Sequence, residues 1–246
     1  MPRYTQRHDA MRSRHITMSI EEFRLLPRDP GWKYEYFDEM AHITPRARLA
    51  TVRLGVGSRP LKPPLPLRGV VASDQEGLVA AFVAAFADSA DYCDVPREGI
   101  SCSAQECLRD FHAGARGEAL PSSCVAIDDA AEDPVEVVAG AALVTRAKDG
   151  CPLLDMLFVR PSWQRRGLAT ALVSWSLREL VAEGEATLRS RYLLANEPSQ
   201  AWHQQFGFTL EPDAVDAEAS ARIQASRKNG PGTASGGCDP EPVGGR

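Results

Sequence analysis

The stretch LLDMLFVRPSWQRRGLATALVSW, Leu153 to Trp175, constrains the chain more than any other. Its opening residues are apolar except for Asp155, and the run is short enough and rich enough to be a central strand. Pro161 ends that run, and Gln164, Arg165, Arg166 and Gly167 follow. Beyond them Ala169, Leu172, Val173, Ser176 and Leu180 recur at helical spacing, with Thr170, Ser174 and Arg178 on the opposite side. A strand that breaks into a loop just before a helix points several main-chain N–H groups one way, and the helix dipole adds partial positive charge there. Together they suit a phosphate or pyrophosphate. Gly167 permits close backbone approach, Ala169 keeps the first helical turn clear, and Arg165 and Arg166 add positive charge. Taken alone, the tetrapeptide reads equally well as a solvated turn.

The surroundings alternate between strand and helix patterns from about residue 66 to 211. Ser73 and Glu76 have the spacing of a capping box, ahead of a stripe of Leu78, Phe82, Ala85 and Phe86. Ser103 and Glu106 suggest the start of a second helix, with Cys107, Leu108 and Phe111 inward and Gly114 past its end. SSCVAIDD, VEVVAGAALVTR and TLRSRYLLA read as strands, and PSQAWHQQF as a short helix with Pro198 in its first turn. With 28 basic against 33 acidic residues, the mildly acidic balance argues against a general nucleic-acid footprint. No apolar run is long enough to span a membrane, and the first residues carry no secretory signal pattern. The six cysteines lack C-x-x-C or zinc-ligand spacing, which predicts reduced thiols, no metal and a cytoplasmic protein.

Val159, Pro161, Gln164, Gly167 and Ala169 occupy every fixed position of Val-x-Pro-x-x-(Arg/Gln)-x-x-Gly-x-(Gly/Ala). Asn196, Ser199, Trp202 and His203 lead into Phe206-Gly207-Phe208. In these two motifs the chain resembles the GNAT N-acetyltransferase superfamily, over about residues 66–211. The resemblance implies an α/β (α+β) fold with a mixed, splayed central sheet flanked by helices, and acetyl-CoA bound in a V-shaped cleft beside Val159. It implies acetyl transfer to the primary amine of an unidentified acceptor, small molecule or protein, by direct attack. A non-catalytic acyl-CoA-binding regulatory module on the same fold is the alternative. The assembly state is open, a homodimer being one candidate.

The implied cofactor residues are Leu157, Phe158 and Val159 on the strand, Gln164, Arg165, Arg166, Gly167, Leu168, Ala169 and Thr170 on the loop and first turn, and Asn196 and Ser199. His203 stands where the family commonly has tyrosine as general acid. An imidazole with an ordinary pKa of about 6.5 can serve in proton transfer, although it could instead simply pack beside Trp202. Asp155 is the base candidate, expected to share a strand face with Leu157 and Val159. The alternative for Asp155 is a carboxylate satisfied by neighbouring groups.

Residues 1–60 read as an extension. Ser19 to Glu22 is a capping box opening a short helix that Pro27 ends, and KYEYFDEMAHITP reads as a hairpin. This segment resembles the opening of a bacterial restriction-endonuclease-like family, without a later Asp…Glu-x-Lys cluster. SRPLKPPLPLR is a stiff connector. After Gly207-Phe208 only one short strand is evident, where GNAT domains usually have two. The 33–44 hairpin is therefore expected to complete or cover the sheet edge, or else to stand as a separate mini-domain. Residues 212–228 read as a helix and 229–246 as a disordered tail.

Overall fold

A computed structural model describes residues 13–215, with side chains to residue 211. In chain order the elements are β1 (Arg14–Thr17), α1 (Ile20–Leu25), β2 (Trp32–Phe37), β3 (Met40–Pro45), β4 (Leu49–Gly55), β5 (Leu67–Gly69), α2 (Gln75–Phe86), α3 (Arg97–His112), β6 (Glu118–Ala119), β7 (Cys124–Ile127), β8 (Val138–Arg146), β9 (Pro152–Val159), α4 (Leu168–Ala182), β10 (Thr187–Leu193), α5 (Glu197–Phe206) and β11 (Thr209–Val215). The large sheet has the order β11-β4-β10-β9-β8-β7-β5, with β6 added to β8. Among the described strands of this sheet, only β9 and β10 pair in parallel; the other pairings are antiparallel. This is a mixed α/β sheet, splayed between β9 and β10 and flanked by helices, the architecture that the two motifs led one to expect.

Two apolar layers cover the sheet. On one side Leu168, Leu172, Leu177 and Leu180 of α4 pack with Phe206, Phe208, Val159 and Leu188. On the other, α2 and α3 bring Leu78, Phe82, Ile100, Leu108 and Phe111 against Leu143, Met156 and Phe158. Helix α3 begins at Arg97 behind Pro96, about two turns ahead of the expected Ser103 cap, because Ile100 and Ala104 extend its buried stripe. Ser73 does not cap α2. Asp74 instead takes Val71 N–H at 2.9 Å and both ends of the Arg68 guanidinium, at 2.6 and 2.7 Å.

The N-terminal extension divides in two. The α1 capping box forms as read, with Glu22 N–H donating to Ser19 Oγ and Ser19 N–H to Glu22. The hairpin also forms, with Asp38 and Glu39 both at positive φ, and it joins β1 in a separate sheet of order β1-β3-β2. It does not complete the large sheet. The strand that does so is β4, which lies between the hairpin and the proline-rich connector. Leu49 to Gly55 pair in full with Leu193 to Thr187, and β11 lies on the other side. An interior position gives this strand partners on both edges, in full along β10 and at Arg53, Val52 and Ala50 on β11, and Leu49, Ala50, Val52 and Leu54 are buried. β11 runs on through Pro212, which a sheet edge tolerates. The small sheet is pinned to the end of β10 by Trp32, Ile43, Leu49, Leu193, Ala195 and Ala90. The expected 216–228 part of the C-terminal helix and the 229–246 tail lie outside the described residues.

Candidate active site

The cleft arises where β9 and β10 part. Their pairing is confined to Arg189 opposite Leu153 and Ser190 opposite Leu154. Beyond it, β9 stays on β8 up to Gly140 opposite Val159, while β10 stays on β4 up to Leu193. From Asp155 onward the β10-facing edge of β9 therefore has no strand partner, which leaves main-chain groups open to a ligand.

The loop after β9 is held from several directions. Gln164 Nε2 donates to Val159 O at 3.0 Å, and Trp163 Nε1 to Asp128 Oδ2 at 2.9 Å. Buried Arg160 donates through Nε to Val138 O at 2.8 Å and through Nη2 to Val135 O at 2.7 Å. Arg166 lies over the Trp163 ring at 4.9 Å, and Arg165 takes a positive φ of 61°. Gly167 is the N-cap of α4 at φ 81°, and a Cβ there would meet nothing within 4 Å. The helical ladder first reaches back from Ala171 N–H to Gly167 O, at 3.0 Å, so the amides of 168–170 precede it. A left-handed turn, free helix-start amides and two exposed arginines make this an anion-accepting junction. Sequence reading missed Arg160, Trp163 and Asp128, whose roles come from contacts with the distant 128–138 segment.

Asp155 does not share a face with Leu157 and Val159. The β8–β9 register slips between Leu143 opposite Met156 and Val144 opposite Leu154, so Asp155 is the extra residue of a bulge. The slip reverses the alternation: Leu157 and Val159 face α4, while Asp155 turns to the α3 side. There both its oxygens accept from Arg116, from Nε at 2.6 Å and Nη2 at 3.0 Å. Cys107 Sγ lies 3.9 Å from Arg116 Nη1, and burial pushes that thiol's pKa up.

Asn196 and Ser199 build the start of α5. Asn196 Oδ1 accepts Ser199 N–H at 3.0 Å, and its Nδ2 donates to Asp91. His203 is buried on the same helix, 4% exposed. Its Nδ1 lies 2.7 Å from Ser199 O and its Nε2 2.9 Å from Ser190 Oγ. A carbonyl only accepts, so Nδ1 carries the proton and Nε2 accepts from the Ser190 hydroxyl. Burial lowers the His203 pKa, against a smaller opposing effect of the Ser199 bond. The ring is surrounded by Tyr192, Trp202 and Phe208, each at a centroid distance of 5.0 Å.

Residues 91–208 match the Acetyltransferase (GNAT) family model. No curated protein matches the chain. Among solved structures, one is a functionally unknown conserved protein from Staphylococcus epidermidis. It is 12% identical with a TM-score of 0.50, covering 67% of this chain and 57% of that one. Another is a GCN5-related N-acetyltransferase from Sphaerobacter thermophilus. It is 14% identical with a TM-score of 0.48, covering 82% of this chain and 58% of that one. The chain thus spans less than three fifths of either protein. A PaiA N-acetyltransferase from Thermoplasma acidophilum, in complex with coenzyme A, is 14% identical with a TM-score of 0.49. It covers 61% of this chain and 92% of that one. The family match begins at residue 91, and the comparisons give the N-terminal restriction-endonuclease-like resemblance no support. Among the described residues, no group of three or more His, Cys, Asp or Glu could hold a metal, and no helix is long and apolar enough to cross a membrane.

Proposed function

We propose that this chain, whose residues 91–208 match the GNAT acetyltransferase family, moves an acetyl group from acetyl-CoA to a primary amine. The observation that carries the reading is the left-handed Gly167 turn with its free helix-start amides, set directly after the strand that borders the splay. In this reading residues 164–170 hold the CoA pyrophosphate, and the thioester arm lies along the open edge of β9. CoA brings the activated acyl group, and the chain supplies position, charge and proton traffic. A main-chain N–H of Leu157 to Val159 on that edge is the donor for the tetrahedral oxyanion.

The acceptor must lose a proton before it attacks, because a lysine-like amine with a pKa of about 10.4 is mostly charged at neutral pH. Asp155 was the expected base. Its bidentate pairing with Arg116 favours a different role, in which it fixes the bulge and the proton leaves to water in the cleft. His203 was the expected acid. With Nε2 accepting and Nδ1 committed to Ser199 O, it fits a positioning role better. Asn196 and Ser199 support that reading by building the helix that carries it.

Calorimetric titration with CoA, followed by thiol release from acetyl-CoA across a panel of primary amines, tests the proposal. Binding with turnover on at least one amine is the expected result. Binding with no turnover on any amine would favour a regulatory acyl-CoA module. Absence of binding would remove the reading altogether.

A further inference from the structure

We infer that Asp91 is a positioning residue that fixes the width of the cleft, a role that rests on the acyl-CoA reading above. Helices α2 and α3 belong to the β9 side of the splay, where Phe82 meets Phe158 at 5.5 Å between ring centroids. The loop between them, residues 87–96, leaves that side and reaches the end of β10. Ala90, fully buried, joins Leu193 and Ala195 beyond the last β9–β10 pair, together with Trp32 and Ile43 of the small sheet. Alternation puts Leu193 on the face opposite Tyr192, which lies with α4. On the face away from α4, the loop therefore spans the two strands where they have separated.

Asp91 is the polar fastening of this span. Its carboxylate accepts from Asn196 Nδ2, and Asn196 Oδ1 accepts Ser199 N–H at the start of α5. Asn196 N–H donates to Leu193 O at 2.8 Å, and Asn196 O accepts Gln200 N–H at 3.0 Å. Both ends of the carboxamide are thus engaged within the protein, so Asn196 acts on a ligand through the placement of α5 and not by contact. The loop is anchored on the far side of Asp91 as well. Tyr92 packs on Phe82 and Phe86, at 5.7 and 5.6 Å between centroids, and Cys93 Sγ accepts Ser13 N–H at 2.9 Å.

The same carboxylate sorts the two helix starts beside the cleft. Asp91 and Glu197 put negative charge at the start of α5, which disfavours an anion there. The start of α4 has Arg165 and Arg166 before it, so a pyrophosphate is directed to the Gly167 turn. Without the Asp91–Asn196 clasp, α5 and β10 are free to swing away from the β9 side. A cleft that holds the right width for only a fraction of the time binds CoA more weakly by that fraction.

CoA itself is the probe, so the acceptor need not be known. Asp91→Ala removes the hydrogen-bond acceptor. Calorimetry should show CoA affinity reduced by roughly 10-fold in the folded variant, as for a competent state that falls to about a tenth. Asp91→Asn keeps an oxygen that can accept from Asn196 Nδ2, and it should bind CoA nearly as wild type does. Asn196→Asp sets two carboxylates face to face and should lose at least as much affinity as Asp91→Ala. The exchange Asp91→Asn/Asn196→Asp restores one donor and one acceptor and keeps a good cap on α5, so CoA affinity should return. Should Asp91→Ala fail to fold, the comparison of Asn196→Asp with the exchanged pair carries the test. Wild-type CoA affinity in folded Asp91→Ala would overturn the assignment while leaving the acyl-CoA reading standing. So would single variants that lose affinity with no recovery in the exchanged pair. Failure of the wild type to bind CoA would overturn both.

Discussion

Val52 of β4 stands directly opposite Ser190 of β10, the residue whose hydroxyl holds His203. On its other side Val52 faces Leu210 of β11. A segment from the N-terminal arm therefore supplies the interior strand that supports one wall of the cleft. Removing residues 1–60 takes β4 away, unpairs β11, leaves β10 with only its short pairing to β9 at Arg189 and Ser190, and exposes their buried face. Such a protein should aggregate or lose its cooperative melting transition. Removing residues 1–45 takes away the small sheet and α1 but leaves β4, so this chain should stay soluble with a lower melting temperature, because Leu49, Leu193 and Ala195 lose Trp32 and Ile43. Similar melting of the 1–60 deletion and the full chain would contradict an interior role for β4.

The small sheet meets β10 across a tight backbone contact. A Cβ on Gly31 would lie 2.7 Å from the Leu194 carbonyl carbon and 2.8 Å from Ala195 N. Backbone cannot swing aside as a side-chain tip can, so Gly31→Ala should cost about 1–3 kcal/mol of stability. Urea denaturation with the midpoint read against wild type measures it. An unchanged midpoint would mean that the small sheet docks less closely than this.

The Gly167 turn separates binding from folding. A side chain there meets no protein atom within 4 Å, but φ is 81°, a region where a β-branched residue is strained by about 1–2 kcal/mol. Gly167→Val should therefore still fold while blocking the space in front of the helix-start amides. The expected outcome is a near-native circular dichroism spectrum with CoA affinity reduced by at least tenfold in calorimetry. Native affinity in the folded variant would remove the loop from the CoA site.

Much of this architecture was legible in the sequence because its signals are local. Gly167 and Pro161 punctuate the chain at a strand-to-helix junction, and a Gly and a Pro act on their own backbone. The hairpin was legible for the same reason, since Asp38-Glu39 sits between alternating runs. Long-range choices were not. LATVRLG has the composition of a strand, but nothing in it names β10 as its partner, and it borders a proline-rich connector that reads as linker. The face of Asp155 was lost to one inserted residue, because a bulge reverses every later position in a period-two pattern. The engagement of His203 was also hidden, since Ser190 lies on a different element and serines carry little periodic signal.

His203 gives a pH-dependent signature of its burial. An unfolded histidine takes up a proton near pH 6.5, and burial holds the folded ring below that value. Between the two values the unfolded chain binds more protons than the folded one. The folded state therefore loses stability as pH falls from about 6.5 toward the lowered value, and recovers it as pH rises. His203→Phe should flatten this part of the stability curve, whatever its effect on absolute stability. Chemical denaturation at pH 5, 6 and 7.5 gives the slopes. Parallel slopes in the two proteins would mean that the ring is more freely protonated than its position implies.

The Arg116–Asp155 pair distinguishes a base from a brace. Its carboxylate is nearly sealed, with 4% of the Asp155 side chain exposed against 32% for Arg116. Arg116→Met would leave a buried charge without a partner and should cost about 3 kcal/mol. Asp155→Asn keeps the shape but loses the charge-assisted contact. Arg116→Met/Asp155→Leu removes both partners together and should be more stable than Arg116→Met alone, giving a favourable coupling energy above about 1 kcal/mol in a double-mutant cycle. A brace ties activity to this stability, so Asp155→Asn should lower turnover only modestly, by less than about tenfold, with an unchanged pH profile. A base would behave otherwise. Asp155→Asn would then abolish turnover in a protein that still binds CoA, and the acidic limb of the rate profile would disappear with it. The bulge geometry, with both oxygens turned toward Arg116 and away from the Leu157 face, favours the first outcome.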